Sequence, residues 1–365
     1  MNIGIIGTRG IPNHYGGFEQ LAEYLSKGLV KRGHQVTVYN SHNHPYQEAS
    51  WNGVSIVHCK DPEHKIGTAG QFIYDLRCIH HSRKQDFDII LQLGYTSSSI
   101  WSRRFPNSAK IVTNMDGMEW RRSKYSKKVQ RFLKYAENLA VKHSDTLISD
   151  SLGIQLYLKE KYSKDSLFIP YGATVFNSPL ESYLEGFKIQ KHKYNMLIAR
   201  LEPENSIQII LDGVVAEGAT TPFLVIGNHK TKYGDYLKVR YDSHPNIRFV
   251  GSIYDIDILN NLRYYSNIYF HGHTVGGTNP SLLEAMASSA FICANTNIFN
   301  AAVLEEEALY FSNVQDVKQV LRTKKKTDHL HFLEQNLNKI SLDFSWETIV
   351  NRYEEAFKLA LKKRS

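Results

Sequence analysis

The 365-residue sequence predicts an α/β chain built as two doubly wound domains that face a central crevice. Three observations predict it. Short β-rich runs recur with stretches of helical period between them. The alternation breaks once, across a polar stretch from 174 to 193. It then restarts with the same rhythm. Open sheets of this kind take ligands outside the carboxyl ends of their strands, so two of them imply a crevice between those ends.

The first strand is "NIGIIG". The helix after it, "FEQLAEYLSKGLVKRG", sets Phe18, Leu21, Ala22, Leu25 and Leu29 at i, i+3, i+4 and i+7 spacing and stops at Gly33. "QVTVYN", "VSIVHC", "DIILQLG", "KIVTNMD", "TLISDS" and "SLFIPYG" read as further strands of a first Rossmann-like domain, residues 1–178. "YNMLIARL", "PFLVIGN", "NIRFVGS", "NIYFHGH", "FICAN" and "ALYFS" make a second, residues 190–344. The closing stretch, "SWETIVNRYEEAFKLALKKR", is amphipathic through Ile349, Tyr353, Phe357 and Leu361.

Apolar residues make up 42% and charged residues 22%, a globular balance. No apolar run reaches a membrane span, and "MNIGIIGTRG" reads as a buried strand, not a signal peptide. Cys59, Cys78 and Cys293 are scattered and odd in number, which fits reduced core thiols in a cytoplasmic protein. The net charge of +8 is uneven. Residues 121–134 carry Arg121, Arg122, Lys124, Lys127, Lys128, Arg131 and Lys134 with no acidic residue. Such a run is either a solvated helix face or a patch for phosphates or anionic lipid heads.

Three loops have the composition of ligand loops. In "GIIGTRGIPNHYGGFEQ", Gly7, Gly10, Gly16 and Gly17 stand between a strand and a helix, where backbone amides can approach a phosphate. The spacing is not G-x-G-x-x-G, and the second strand ends in Asn40, not Asp or Glu, so a dinucleotide is disfavoured; a tight turn with no ligand is the alternative. In "ARLEPENS", Arg200 ends a strand and can fork onto a diphosphate, or pair with Glu202 or Glu204. In "HGHTVGGTNPSLLEAMASS", Gly276 and Gly277 precede an N-cap, Asn279, and Pro280 at N1. That turn offers an anion seat, and Glu284, little more than one turn inside, can accept from ribose hydroxyls. A nucleoside diphosphate fits both parts; a Glu284–arginine pair is the structural alternative.

"GTRGIPNHYGGFEQLAEYLSKGLVKRGHQVTVY", "NMDGMEWRRSKYS", "IPYGA", "ARLEPENS", "HGHTVGGTNPSLLEAMA" and "FSWETIVNRYEEAF" together resemble the family 4 glycosyltransferases of GT-B architecture, in particular their bacterial rhamnosyltransferase-like branch. The resemblance implies a retaining, metal-independent hexosyltransferase of surface polysaccharide assembly. Its donor is a dTDP- or UDP-sugar, and its acceptor a glycan or polyprenyl diphosphate. It implies that Arg200 contacts the diphosphate, Glu284 the ribose, and the amides around Thr278 and Asn279 the phosphates. Gly10, Gly16, Gly17, Asn205, His273, Gly276, Gly277 and Ser281 complete the expected donor site. Arg9, His14, Tyr15, Glu119 and Trp120 are expected on the acceptor side, in the first domain. The last helix, 345–363, is expected to pack back on that domain. Residues 121–134 would then meet an anionic membrane at the inner face of the cell membrane.

Two positions depart from the wider family. A second Glu stands there eight residues before the helix Glu, where this chain has Gly276. A basic residue commonly follows the strand Arg, where this chain has Asn205.

Asp116, at the end of "KIVTNMD", is the expected orienter of the acceptor, or a cap for "GMEW". The D-x-D strings at Asp86–Asp88 and Asp255–Asp257 read as structural, and His271 with His273 lacks a third zinc ligand at a usual spacing. A nucleotide-sugar epimerase of the same architecture and a non-catalytic nucleotide-sugar binder are the alternatives. A nucleic-acid partner is disfavoured, since no recognition helix or RNA motif is present.

Overall fold

A computed structural model describes residues 1–121 and 125–362. The chain forms two compact units, Met1–Gly172 with Trp346–Ser365, and Ala173–Ser345.

The first unit begins β1 (Asn2–Ile6), α1 (Gly17–Lys31), β2 (Gln35–Ser41), β3 (Ser50–Trp51) and β4 (Val54–Cys59). It continues with α2 (Glu63–Ile66), α3 (Ala69–Ser82), β5 (Ile89–Leu93), β6 (Lys110–Asn114), α4 (Lys127–His143), β7 (Thr146–Ser149), α5 (Leu152–Tyr162) and β8 (Leu167–Phe168). The sheet order is β3-β4-β2-β1-β5-β6-β7-β8, parallel except for β3 against β4. β1 sits between β2 and β5, with Ile3 opposite Val36 on one side and Ile89 on the other. Both its faces are covered, which is why "IGII" after Asn2 is apolar and buried throughout and does not alternate. On one face of the sheet Tyr39, Cys78, Ile79 and Phe87 form one cluster, and Met115, Ala140, Leu147 and Ile154 form a second beside it. β3 escaped sequence reading because two residues show no period.

The second unit runs β9 (Asn195–Ile198), α6 (Ile207–Glu217), β10 (Phe223–Ile226), α7 (Lys232–Arg240), β11 (Ile247–Gly251), α8 (Ile256–Tyr265) and β12 (Ile268–His271). After it come α9 (Pro280–Ala287), β13 (Ile292–Asn295), α10 (Ile298–Leu304), β14 (Leu309–Phe311), α11 (Val314–Thr323) and α12 (Leu330–Leu342). Its all-parallel sheet has the order β11-β10-β9-β12-β13-β14. Residues 179–189, left between the domains by the sequence division, belong to this unit. The Leu180 amide donates to Asn261 Oδ1 at 2.7 Å, and Leu184 is buried.

The closing helix, α13 (Trp346–Lys362), is part of the first unit. Tyr24 of α1 stacks on Trp346 at 4.3 Å, and Asn114 Nδ2 donates to the buried Tyr353 hydroxyl at 2.9 Å. Residue 363 of the expected range lies outside the described residues. Asp255 caps α8, accepting from the amides of Asp257 and Ile258, and Asp88 Oδ2 accepts from the Asn2 amide at 2.7 Å. Both D-x-D strings therefore have structural work, and all three cysteines are free and buried.

Candidate functional site

In the second unit the strand order reverses between β9 and β12, so the loops after these strands lie side by side at a topological switch point. The chain draws them together. A Cβ at Gly272 would stand 2.1 Å from the Asn205 carbonyl oxygen, so only glycine permits the approach. Thr274 donates to the Glu204 carbonyl from its amide at 3.1 Å and from its hydroxyl at 2.7 Å. Arg200 is exposed, and its guanidinium forms no ion pair among the described residues, so the pairing with Glu202 or Glu204 is not made. Asn205 is buried, and its Nδ2 donates to the Arg200 carbonyl at 2.7 Å. Its observed work is to hold the turn that carries Arg200.

Asn279 caps α9 as its residue type predicts, its side chain accepting from the Ser281 amide at 2.9 Å. That cap occupies one of the donors credited to the anion seat. The Leu282 and Leu283 amides return to the Asn279 carbonyl, so donors for a ligand must come from the loop at 276–279. Gly276 has φ +123 with nothing within 4 Å of a Cβ. Its backbone, not crowding, calls for glycine, so a side chain there would be strained even in open space. Thr278 is buried, while Gly277 is half-buried.

Glu284 has the arginine partner that the sequence left as an alternative. Arg263 Nη2 lies 2.6 Å from Oε2, with 1% of the arginine side chain and 21% of the glutamate side chain exposed. Arg263 also donates to Asn260 Oδ1 at 3.0 Å and reaches Ser281 Oγ at 3.4 Å. Ser281 Oγ is in turn 3.0 Å from the Tyr269 hydroxyl. The network holds the carboxylate in one orientation at the rim of the switch point. Arg263 was missed in the sequence. Its signal was a cation four residues after Leu259 and next to Leu262, on the apolar side of a short helix.

His271 is fully buried and stacks on His273 at 4.4 Å. Burial, then the neighbouring His273 and Arg263, push its pKa well below the usual histidine value, which keeps it neutral. Neither ring nitrogen of His271 has a hydrogen-bond partner among the described residues. The His273 carbonyl accepts from Asn297 and Asn300. Among the described residues no three His, Cys, Asp or Glu are placed to share a metal.

In the first unit the order reverses between β1 and β5, which puts the glycine-rich loop after β1 at the matching place. Gly10 has φ +126, and a Cβ there would stand 2.3 Å from Asn40 Cγ. Asn40 clamps the loop, accepting from the Ile11 amide at 3.0 Å and donating to its carbonyl at 2.8 Å. Gly16 is the extended N-cap of α1, which Gly17 opens. Arg9 is held by both oxygens of Glu63, at 2.9 and 3.1 Å, and its guanidinium lies 3.9 Å over the Tyr15 ring. Tyr15 and His14 are exposed, the latter edge-on to His44.

Asp116 follows β6 with φ +49. Its carboxylate raises the pKa of Asp150, a carboxyl that burial already lifts well above the usual range. Asp150 was also missed, although it follows β7 much as Asp116 follows β6. Glu119 is half-buried, and Trp120 is fixed by donation from Nε1 to Glu137 at 3.0 Å, with Lys134 Nζ 4.2 Å over its ring. Lys127, Lys128, Arg131 and Lys134 are exposed on α4 and form no ion pair among the described residues. Arg122 and Lys124 of the same segment lie outside the described residues.

Residues 1–174 match the family model of a domain of unknown function, DUF1972. No curated protein sequence matches the chain. Among solved structures, sucrose-phosphate synthase from Thermosynechococcus elongatus superimposes with a TM-score of 0.79 at 15% identity, covering 100% of both chains. HepE from Anabaena, solved in complex with UDP-glucose, gives 0.77 at 13% identity over 98% of this chain and 99% of that one. A glycosyltransferase from Rickettsia africae gives 0.73 at 14% identity over 100% and 99%. The fold is GT-B. The DUF1972 match ends within two residues of the first unit's break at Gly172, so it covers that unit's sheet but not α13.

Proposed function

We propose that the chain is a retaining glycosyltransferase that moves a hexose from a nucleoside-diphosphate sugar to a glycan or polyprenyl-diphosphate acceptor, in bacterial surface polysaccharide assembly. The observation that carries the reading is the β9–β12 switch point. There an exposed Arg200 with no ion pair among the described residues, a glycine-bearing loop before α9 and a carboxylate braced by Arg263 are drawn onto one rim. The occurrence of a UDP-glucose complex among structures of the same fold supports it.

In this reading the diphosphate lies on the loop at 276–279 and on Arg200, with the ribose hydroxyls on Glu284. His273, Gly276, Gly277, Thr278, Asn279 and Ser281 shape the donor site. As the glycosyl bond breaks, negative charge grows on the leaving diphosphate. Fixed amides and a guanidinium stabilise that charge without reorganising, which is usually the largest catalytic contribution. The acceptor hydroxyl attacks on the same face and passes its proton to the leaving phosphate. Asp116 orients the acceptor with Arg9, His14, Tyr15, Glu119 and Trp120. No metal or other cofactor is invoked. The donor is a dTDP- or UDP-sugar, with rhamnose the first sugar to try. The bases of 121–134 hold the enzyme reversibly on anionic lipid at the inner face of the cell membrane.

The test is calorimetric titration with UDP, dTDP, GDP and NAD on the wild type, Arg200→Ala and Glu284→Gln. One diphosphate binding tightly and weakening in both variants supports the donor site and names the nucleotide for transfer assays. No binding by any of the three diphosphates would overturn it. Gly276, in place of a carboxylate, favours a second reading as a binder without turnover. That reading predicts nucleotide affinity with no product from any sugar nucleotide.

A further inference from the structure

Away from these loops, the first unit has a pocket of about 340 Å³ between β4 and α3. β4 and the residue after it bring His58, Cys59 and Lys60, and α3 brings Arg77, His80 and His81, with Lys84 just beyond its end. Three permanent cations and three imidazoles thus share one concave surface, and no carboxylate lines it. Lys60, Arg77 and Lys84 are exposed, and none forms an ion pair among the described residues.

The walls are fixed from outside. Arg77 Nη1 donates to the Lys60 carbonyl at 2.7 Å, which ties α3 to the end of β4 and steadies the guanidinium. The Tyr39 hydroxyl meets His81 Nδ1 at 3.0 Å, and His58 Nε2 donates to the Tyr46 carbonyl at 3.0 Å. The guanidinium and the two imidazoles held in this way lose little freedom when a ligand enters. Gathering like charges without a counter-charge disfavours the folded state through self-repulsion, and a bound anion relieves it. Among the described residues no His, Cys, Asp or Glu group is placed to hold a metal, so the imidazoles and Cys59 do not form a metal centre.

We propose that this pocket binds a phosphate-bearing anion of diphosphate or sugar-phosphate size. A guanidinium offers a planar fork and the two ammonium groups offer mobile point charges, a set suited to several phosphate oxygens at once. The volume lies within the range of small-ligand sites. None of these residues is used in the proposed transfer, so this inference stands or fails apart from that reading.

The test is titration of the full chain with inorganic pyrophosphate, followed through the imidazole NMR signals of His80 and His81. Reading the pocket's own signals separates it from any diphosphate bound near Arg200. The expected result is saturable movement with a dissociation constant of about 1 mM or tighter. Affinity should fall at least about tenfold in Arg77→Gln and further in Arg77→Gln with Lys84→Gln, since each removes a charge-assisted contact. These positions are exposed, and unchanged far-UV circular dichroism checks that the variants fold. Vesicles of phosphatidylcholine with and without phosphatidic acid separate the sources. Loss of phosphatidic-acid binding in the double variant assigns a lipid headgroup, and unchanged vesicle binding with weakened pyrophosphate binding assigns a soluble phosphate. Absence of movement at His80 and His81, or undiminished pyrophosphate affinity in the double variant, would overturn the proposal.

Discussion

The Arg263–Glu284 pair lets structural and ligand-binding roles of one carboxylate be separated. Glu284→Ala leaves an arginine with 1% side-chain exposure facing the lost partner at what was 2.6 Å. Breaking a buried pair from one side costs about 3–5 kcal/mol, because the remaining charge is uncompensated. For a unit of this size that is a fall of roughly 6–20 °C in its melting temperature, at roughly 2–4 °C per kcal/mol. Arg263→Met combined with Glu284→Leu removes both charges. Its neighbours keep partners, since Asn260 Oδ1 still accepts from Ser288 and Ser281 Oγ still meets Tyr269. Stability should return to within about 1–2 kcal/mol of wild type, as replaced buried pairs commonly do. Nucleoside-diphosphate affinity should stay lost, because nothing then accepts from the ribose. Urea denaturation and calorimetry on the three proteins read both quantities. Wild-type stability in Glu284→Ala would refute the buried-charge argument. Recovery of nucleotide affinity in the double variant would refute the ribose role.

Three other outcomes are expected. Lys326 is buried, and burial lowers its pKa to about 7. The unfolded chain therefore holds a proton that the folded chain lacks between about pH 7 and 10, and stability rises with pH across that window by up to about 1.4 kcal/mol per unit. Denaturation at pH 7 and 9 should show the gain in wild type and its loss in Lys326→Met. Asn40→Ala strips both hydrogen bonds from the Ile11 backbone and should destabilise by about 2–4 kcal/mol in the same assay. Lys127→Glu with Lys128→Glu and Arg131→Glu should weaken binding to anionic liposomes several-fold per reversed charge at low salt, with nucleotide affinity unchanged. Unchanged liposome sedimentation would remove the membrane role.

The architecture was legible because strand and helix periods are local properties of the chain. Every strand read from an apolar run, from "NIGIIG" to "ALYFS", is present, and the N-caps Asn279 and Asp255 do what their side chains predict. β3 was invisible for want of length. The attachment of residues 179–189 to the second unit was invisible because a contact such as Leu180 with Asn261 spans 81 positions.

The sequence by itself determined which loops end parallel strands, where glycines would relieve a backbone and which residues carry charge into those loops. Only the tertiary structure decided partnership. It paired Glu284 with Arg263, left Arg200 without an ion pair among the described residues, made Asn205 the clamp of its own loop and Asn40 of β2 the clamp of the loop after β1, and set Arg77 of α3 and Lys84 just past its end in one pocket with Lys60 beyond β4. The reason is physical. A side chain's conformational preferences act over a few residues, whereas its desolvation and its charge are answered by whatever the fold places within a few ångströms, at any distance along the chain.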